Sequence, residues 1–179
     1  MKKSTFILFL LSTFLFNMEA EAQRFKEPAE IGEIKWVTFK ELKKLQRKNP
    51  RKVMIDFYTP WCPPCKMLNK YTFRDKRVAD YVNENFYAIK FNAQHDGKIK
   101  YRGKKYTNPT FDAAKGQKKR NSRHELAKDF GVSAFPTIVF LDEEYKEFKR
   151  IKGFKKADKF VPFLKKLIEE NTENASVSQ

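Results

Sequence analysis

Trp61-Cys62-Pro63-Pro64-Cys65-Lys66 contains the only two cysteines of the 179-residue chain and places them three positions apart, directly after an apolar run. If the segment after Cys62 is helical, positions i and i+3 share a face and the two sulfur atoms can form a disulfide across one turn. Cys62 then lies at the helix N-terminus, where free amide groups and the helix dipole favour a thiolate. We therefore predict a redox-active dithiol with Cys62 as the nucleophile and Cys65, one turn in and more protected, as the resolving thiol.

Two other interpretations of the cysteine pair have to be weighed. A zinc site needs two further ligands, and the chain offers only His95 and His124, which lack the short His-to-His spacing of a zinc finger. We expect no metal site, no cofactor besides the Cys62–Cys65 disulfide, and a surface position for both histidines. A purely structural disulfide is also disfavoured, because closing so short a loop gains little conformational entropy.

Further motifs accompany the cysteine pair in a characteristic order. Val53–Lys66 is a buried strand with an acid near its end, followed by a W-C-x-x-C-K turn; Phe130–Thr137 contains a Phe-Pro-Thr segment, and Gly153 precedes the last predicted helix. Together with Lys90-Phe91-Asn92, these motifs resemble the thioredoxin superfamily from Ile34 to Ile168. The resemblance implies an α/β fold, a thioredoxin-like three-layer sandwich with a mixed central sheet, helices on both faces and, here, a basic hairpin insertion.

The resemblance also implies how a client protein binds beside the dithiol. Pro136 matches the cis-proline of the family, whose neighbouring carbonyl and amide groups pair with the client backbone. Phe135 stands immediately before it and is bulkier than the residue common at that position. We interpret Trp61 and Phe135 as the apolar rim of the dithiol, although aromatic side chains more often pack in the core.

Pro63 and Pro64 set a limit on the reactivity of Cys62. Neither residue has an amide hydrogen, so two groups that would otherwise point at the Cys62 sulfur at this helix N-terminus are absent. We therefore predict a thiolate that is stabilised only moderately. A weakly stabilised thiolate favours a reductant over an oxidant.

Asp56 lies six residues before Cys62 in an otherwise apolar run, so we predict that it is buried. In the resemblance, this acid accepts the proton that Cys65 must lose before it resolves a mixed disulfide, and Lys90 faces it. Burial raises the pKa of such an acid and a nearby lysine lowers it. A simple ion pair without a catalytic role is the alternative.

The N-terminal residues resemble a secretory signal. Met1-Lys2-Lys3 is followed by an apolar run from Thr5 to Phe16 and by Ala20-Glu21-Ala22, an A-x-A cleavage pattern. We expect a signal peptide at 1–22, with a retained anchor as the alternative, and hence a periplasmic or secreted protein. The mature chain is predicted as an N-terminal arm (23–33), one domain (34–170) and a flexible tail (171–179).

Several element boundaries follow from local patterns. Ile34–Val37 is predicted to be a short first strand, and capping boxes at Thr38-x-x-Glu41 and Ser122-x-x-Glu125 are predicted to open helices. Pro162 is expected in the first turn of the last helix, the part of a helix that tolerates a missing amide.

A long basic segment, about residues 94–122, stands where the family needs only a short connection. Ile99–Tyr101 and Lys104–Tyr106 flank Arg102-Gly103, which predicts a hairpin. From Lys98 to Arg123 there are ten Lys or Arg and one acid, a net +9 of the +16 of the whole chain. Charge alone does not identify a ligand, so a docking surface and a solvated insertion without a partner both stay open.

These features predict an extracytoplasmic thiol-disulfide oxidoreductase that exchanges its Cys62/Cys65 dithiol with disulfides of client proteins. We predict a monomeric reductant supplied by a membrane electron donor, with no nucleic-acid partner. A maturation factor for cytochromes or metal centres differs from this only in its client. The alternative is a non-catalytic basic binding or chaperone module, in which the insertion holds acidic partners and the dithiol is vestigial.

Overall fold

The structure is a computed structural model that describes residues 27–115 and 119–177, with side chains described up to residue 171. The predicted signal peptide at 1–22 lies outside the described residues, as do residues 23–26 of the predicted arm. Residues 116–118 of the basic segment and 178–179 at the C-terminus lie outside them too.

Helices and strands alternate along most of the described chain. In order they are α1 (Phe39–Lys48), β1 (Lys52–Tyr58), α2 (Pro63–Leu68) with a following π-helical turn (Asn69–Phe73), α3 (Lys76–Asn85), β2 (Phe86–Asn92), β3 (Ile99–Tyr101), β4 (Lys104–Tyr106), α4 (Glu125–Asp129), β5 (Thr137–Leu141), β6 (Glu147–Lys152) and α5 (Ala157–Val177).

A mixed four-stranded sheet with the strand order β2-β1-β5-β6 forms the centre of the fold. β1 pairs in parallel with β2, placing Asp56 opposite Lys90, and antiparallel with β5, placing Asp56 opposite Ile138. β6 continues the sheet antiparallel to β5. The predicted fold class, a thioredoxin-like α/β sandwich with a mixed sheet, is therefore confirmed.

The alternation of side chains along β1 divides the core into two clusters. Val53, Ile55 and Phe57 point to one face, where they pack with residues of α1, α4 and the β3–β4 hairpin. Met54 points to the other face, among residues of α2, α3 and α5. Because each of these side chains is completely buried, burial contributes roughly 1.5–3 kcal/mol apiece. The sheet is thus covered on both faces, which explains the almost uninterrupted apolar run before the cysteines.

The β3–β4 hairpin forms where the sequence predicts it. Arg102 and Gly103 both have positive φ angles, 48° and 82°, which a two-residue turn between twisted strands requires. Tyr101 and Tyr106 turn inward from the two strands and are buried. The Tyr106 hydroxyl donates to Asp129 Oδ2 at 2.7 Å, so the hairpin is fastened to α4.

One of the two predicted capping boxes forms and the other does not. At α1, Glu41 N–H donates to Thr38 Oγ1 and Thr38 N–H donates to Glu41 Oε2. The prediction of a capping box at Ser122 is wrong, because the Glu125 carboxylate instead accepts the backbone N–H and the hydroxyl of Thr107, at 2.6 and 2.9 Å. His124 caps α4 instead, with Nδ1 accepting the N–H of Leu126 at 3.1 Å.

The predicted first strand at Ile34–Val37 is also wrong in extent. Only an isolated parallel bridge between Trp36 and Ala88 forms at this edge of β2. The capping box at Thr38 turns the chain into α1 immediately afterwards, which leaves no residues to extend a ladder.

α5 departs from its predicted boundaries in two ways. It begins at Ala157, so Pro162 lies beyond the first turn rather than within it. Phe160, Leu164 and Leu167 are buried on both sides of this proline, and their packing holds the helix together. The backbone is helical as far as Val177, so most of the predicted flexible tail (171–179) continues the helix; adding residues to an established helix costs little.

Candidate active site

The two cysteines lie at the start of α2 and are joined by a disulfide, with their Cα atoms 5.3 Å apart. Cys62 is the N-cap residue, and Cys65 N–H donates to Cys62 Sγ at 3.2 Å. Pro63 and Pro64 occupy the first two helical positions and present no amide hydrogen. The expected arrangement is confirmed: one backbone donor, that of Cys65, points at the Cys62 sulfur.

The relative protection of the two cysteines differs from the expectation. Cys62 is 3% exposed and Cys65 is 7% exposed, so Cys65 is not the more protected residue of the pair. Trp61 lies next to Cys62, and the Phe135 ring packs edge-on against the Trp61 ring at a centroid distance of 6.2 Å. These two rings and Cys62 line the same cleft, which accounts for the small exposure of the cysteine.

The peptide bond between Phe135 and Pro136 is cis, as the resemblance implied. Hydrogen bonds within the protein hold the loop on both sides of this cis peptide bond. Thr137 Oγ1 donates to Ala134 O at 2.8 Å, and Gly153 N–H donates to Pro136 O at 2.8 Å. Pro136 is buried, whereas Phe135 is partly exposed toward the cleft.

Asp56 is buried, with 2% of its surface exposed. Its Oδ1 atom and the hydroxyl of buried Thr59 make no hydrogen bond within the described structure. Burial raises the pKa of Asp56 to about 7, and the positive charge of Lys90 opposes that rise without cancelling it. A carboxyl group with such a pKa can accept and release a proton near neutral pH, a property common to general bases.

Lys90 lies opposite Asp56 in the β1–β2 register, on the same face of the sheet. Its ammonium group donates to Asn69 Oδ1 and lies 5.3 Å from the Tyr58 ring centroid and 5.5 Å from that of Trp36. No Lys90–Asp56 ion pair within 4.0 Å occurs in the described part of the chain. Burial lowers the pKa of Lys90, while Asp56 raises it. Lys90 therefore acts on Asp56 as a nearby charge and not as a direct partner.

The structure brings part of the basic segment to the dithiol, which the sequence did not reveal. The cleft beside Cys62 is also lined by Gln94, Arg120, Asn121 and Arg123. Trp61 Nε1 donates to Gln94 Oε1 at 2.6 Å, and Gln94 Nε2 donates to Asn121 O at 2.5 Å. One feature of the sequence could have indicated that Gln94 lies near the dithiol. Gln94 follows the end of β2, and the carboxyl ends of neighbouring parallel strands share an edge of the sheet.

The prediction that His124 is a surface residue is wrong. Its side chain is completely buried, with Nδ1 accepting from Leu126 N–H and Nε2 lying 3.0 Å from Gly97 O. Nε2 must carry the hydrogen that Gly97 O accepts, so the ring is neutral, and burial lowers the pKa of His124. The ring of the partly exposed His95 lies 5.9 Å from it. Both nitrogens of His124 serve the fold, which explains why it is buried.

Among residues 27–115 and 119–177, no helix combines the length and apolarity that crossing a bilayer requires. Within the same ranges, no three or more His, Cys, Asp or Glu side chains are grouped as metal ligands would be.

Comparison with known proteins agrees with this geometry. The thioredoxin-like domain family matches residues 38–168. The thiol:disulfide interchange protein DsbD of Actinobacillus pleuropneumoniae serotype 5b is 32% identical over 130 residues, which are 69% of this chain and 18% of that protein. DsbD of Haemophilus influenzae strain PittGG is 26% identical over 164 residues, 88% of this chain and 24% of the relative. The chain thus spans about a quarter or less of these curated relatives.

A solved structure supports the fold alone. A thioredoxin from Thermus thermophilus superimposes with a TM-score of 0.54 and 21% sequence identity, over 76% of this chain and 88% of that one. The sheet, the disulfide at the start of α2 and the cis-proline loop define the class of thioredoxin-like thiol-disulfide oxidoreductases. With its family match over most of its length, the chain belongs to the thioredoxin-like domain family.

Proposed function

We propose that this protein is an extracytoplasmic reductant of disulfides in client proteins. The observation that carries the proposal is the position of Cys62, which caps α2, is bonded to Cys65, and lines a cleft bounded by the loop before the cis-proline. The relatives named thiol:disulfide interchange proteins support the same type of exchange. The signal-like pattern at residues 1–22 supports a location outside the cytoplasm.

The exchange proceeds in two balanced steps from the reduced dithiol. The Cys62 thiolate attacks one sulfur of the client disulfide, forming a mixed disulfide and releasing the other client sulfur as a thiolate, which takes up a proton. Cys65 then loses its proton to Asp56, attacks Cys62 Sγ and closes the Cys62–Cys65 disulfide. The second client sulfur leaves as a thiolate and takes up a proton, so two electrons pass from the protein to the client.

The geometry around Pro136 suggests which backbone groups hold the client. Pro136 O already accepts from Gly153 N–H, so it is engaged within the fold. Phe135 lines the cleft beside Cys62 and directly precedes the cis-proline. We assign client pairing to the backbone of Phe135, with Pro136 holding that residue in place and Trp61 providing apolar contact.

The direction of electron flow follows from the donors around Cys62. A single backbone amide, that of Cys65, points at the sulfur, so the thiolate gains less stabilisation than one that faces three amides. We expect a reduction potential nearer to the roughly −270 mV of thioredoxins than to the roughly −120 mV of the strongest oxidants of this fold. Equilibration with glutathione buffers measures it. A potential above about −180 mV would reverse the proposed direction.

A reductant must itself be reduced again after each turnover. The relatives are several times longer than this chain, and they are named thiol:disulfide interchange proteins. We propose that a membrane-bound electron donor of this exchange type returns two electrons to the Cys62–Cys65 disulfide, and that the protein works as a monomer without a nucleic-acid ligand.

Insulin reduction separates this function from a non-catalytic binding module with a vestigial dithiol. The wild-type protein should accelerate the reduction of insulin by dithiothreitol, seen as turbidity of the insulin B chain. The double variant Cys62→Ser/Cys65→Ser retains the exposed basic side chains and is the matched control. If both proteins leave the rate at that of dithiothreitol alone, the dithiol has no catalytic role and the binding module is the better description.

A further inference from the structure

Arg120 lies over the aromatic rim of the dithiol. Its guanidinium carbon is 5.0 Å from the centroid of the Trp61 ring, and both residues line the cleft that contains Cys62. A guanidinium group stacked on an aromatic face keeps its hydrogen-bond donors free at its edge. Arg120 therefore presents a positive charge to whatever enters the cleft.

The segment around Arg120 is held in place from both sides. Gln94 bridges Trp61 Nε1 to Asn121 O, and the Asn121 side chain exchanges two hydrogen bonds with the backbone of Asp112, at 2.9 and 2.8 Å. Arg123 Nη1 donates to Val132 O, ahead of the cis-proline loop. Residues 119–123 thus connect the Trp61 side of the cleft to its Phe135 side and form a fixed wall.

The charge of this wall is not compensated in the part of the chain that the structure describes. The residues lining the cleft include two arginines and no Asp or Glu. Asp112, the one acid between Lys98 and Arg123 in the sequence, has its carboxylate 3.4 Å from Lys115 Nζ. None of the ion pairs found among the described residues involves Arg120.

This inference deepens the proposed function and rests on it. We propose that Arg120 is a specificity-determining residue that favours client segments carrying Asp or Glu beside the cysteine under attack. A client chain that reaches Cys62 enters the cleft that Trp61, Phe135 and Arg120 line, and its neighbouring side chains come within reach of the guanidinium edge. A carboxylate gains a charge-assisted hydrogen bond there, whereas a lysine is repelled.

Three cyclic peptides test the preference. Each is closed by one disulfide, and they differ only in carrying Glu, Gln or Lys at the two positions flanking one cysteine. The pre-reduced protein is mixed with each peptide in a single turnover, and each rate constant is divided by the rate constant of dithiothreitol with the same peptide. This division removes the effect of the flanking residues on the intrinsic reactivity of the disulfide.

We expect normalised rates in the order Glu, Gln, Lys, with steps of roughly two- to fivefold at low salt, the range for an exposed charge pair. The steps should shrink at about 0.5 M salt, since exposed charges are screened. Arg120→Gln should remove the order and Arg120→Glu should reverse it. Arg47→Gln is the matched control, because Arg47 lies in the last turn of α1, before the start of β1, whereas the dithiol follows the end of β1.

The outcomes distinguish a failure of the Arg120 preference from a failure of the proposed oxidoreductase function. Equal normalised rates for the three peptides, or an unchanged order in Arg120→Gln, would overturn the inference and leave the oxidoreductase function standing. Failure of the reduced wild-type protein to reduce any peptide, and also the neutral 2-hydroxyethyl disulfide, would overturn the function and the inference together.

Discussion

Cys65→Ser is expected to accumulate client proteins as mixed disulfides on Cys62. Attack by Cys62 proceeds in this variant because the N-cap position and its environment are retained. Resolution fails, because no thiol lies one turn into α2 to attack Cys62 Sγ. The adducts should then persist for roughly minutes to hours, the timescale of uncatalysed disulfide rearrangement. Non-reducing electrophoresis after an acid quench, followed by mass spectrometry of the cross-linked peptide, measures the yield and the site.

Cys62→Ser is the matched control for this experiment. Cys65 is then the remaining thiol, one turn into the helix and without the N-cap position, so it should trap no clients. Comparable adduct yields from the two single variants would contradict the assignment of Cys62 as nucleophile. Adducts formed through Cys65 alone would reverse the two roles.

Asp56→Asn is expected to slow the resolution of mixed disulfides by about a hundredfold, the lower end of what a positioned base contributes. Asn fills the same space but accepts no proton, so attack by Cys62 should be spared. In the wild type, burial raises the pKa of Asp56 to about 7, and the resolution rate should rise with pH as the carboxyl group ionises through that value. The variant should lack this inflection. Rapid-quench kinetics from pH 6 to 8 measure both effects.

The same substitution should make the protein more stable at alkaline pH. The Asp56 pKa is about 7 when folded and near 3.8 in its ordinary state, so the folded protein binds the extra proton between these values. Stability therefore falls as pH rises from about 4 to about 7 and stays lower above that. Asp56→Asn removes this loss, a gain on the order of 4 kcal/mol at pH 8, since one pKa unit corresponds to about 1.4 kcal/mol. Urea unfolding at pH 5 and pH 8 measures it.

Asp75→Asn is a control that should change the folding stability in the opposite direction. Asp75 caps α3, and its hydrogen bonds with Arg77 lower its pKa, so its ionised form stabilises the fold above its ordinary pKa. Replacing it should reduce stability at pH 8 and leave resolution unaffected. If Asp56→Asn resolved mixed disulfides at the wild-type rate across this pH range, the residue would be a structural acid and not the proton acceptor.

The sequence was most informative where the determinants of structure are local. The apolar run of β1, the two prolines after Cys62 and the Arg-Gly turn of the hairpin each act within a few residues, and each formed as predicted. Thr38 and Glu41 likewise satisfy each other within one turn.

The predictions failed where a partner comes from far along the chain. The Glu125 carboxylate is taken by Thr107, 18 residues away, which removes it from the expected capping box. His124 is buried because its second nitrogen finds Gly97 O, 27 residues away. Both partners lie in the basic segment, whose path across the fold no local pattern encodes.

In the candidate site, too, local motifs predicted some residues correctly, whereas contacts between distant parts of the chain determined others. The dithiol, Asp56 and the cis-proline followed from motifs, whereas Gln94 and Arg120 emerged only when the structure placed them against Trp61. Their role depends on tertiary contacts between positions more than 25 residues apart, and hydrophobic periodicity carries no information about such contacts.

The two-sided core has a consequence for how the protein can change. Asp56 and Lys90 share the face of the sheet that packs against α2, α3 and α5, whereas the hairpin and α1 cover the other face. The proposed proton acceptor thus lies on the face of the sheet opposite the hairpin. Substitutions at exposed positions of the basic segment can therefore change its charge without touching Asp56, whereas a replacement for the whole segment would have to restore the buried Tyr101 and Tyr106 and the bridge through Gln94.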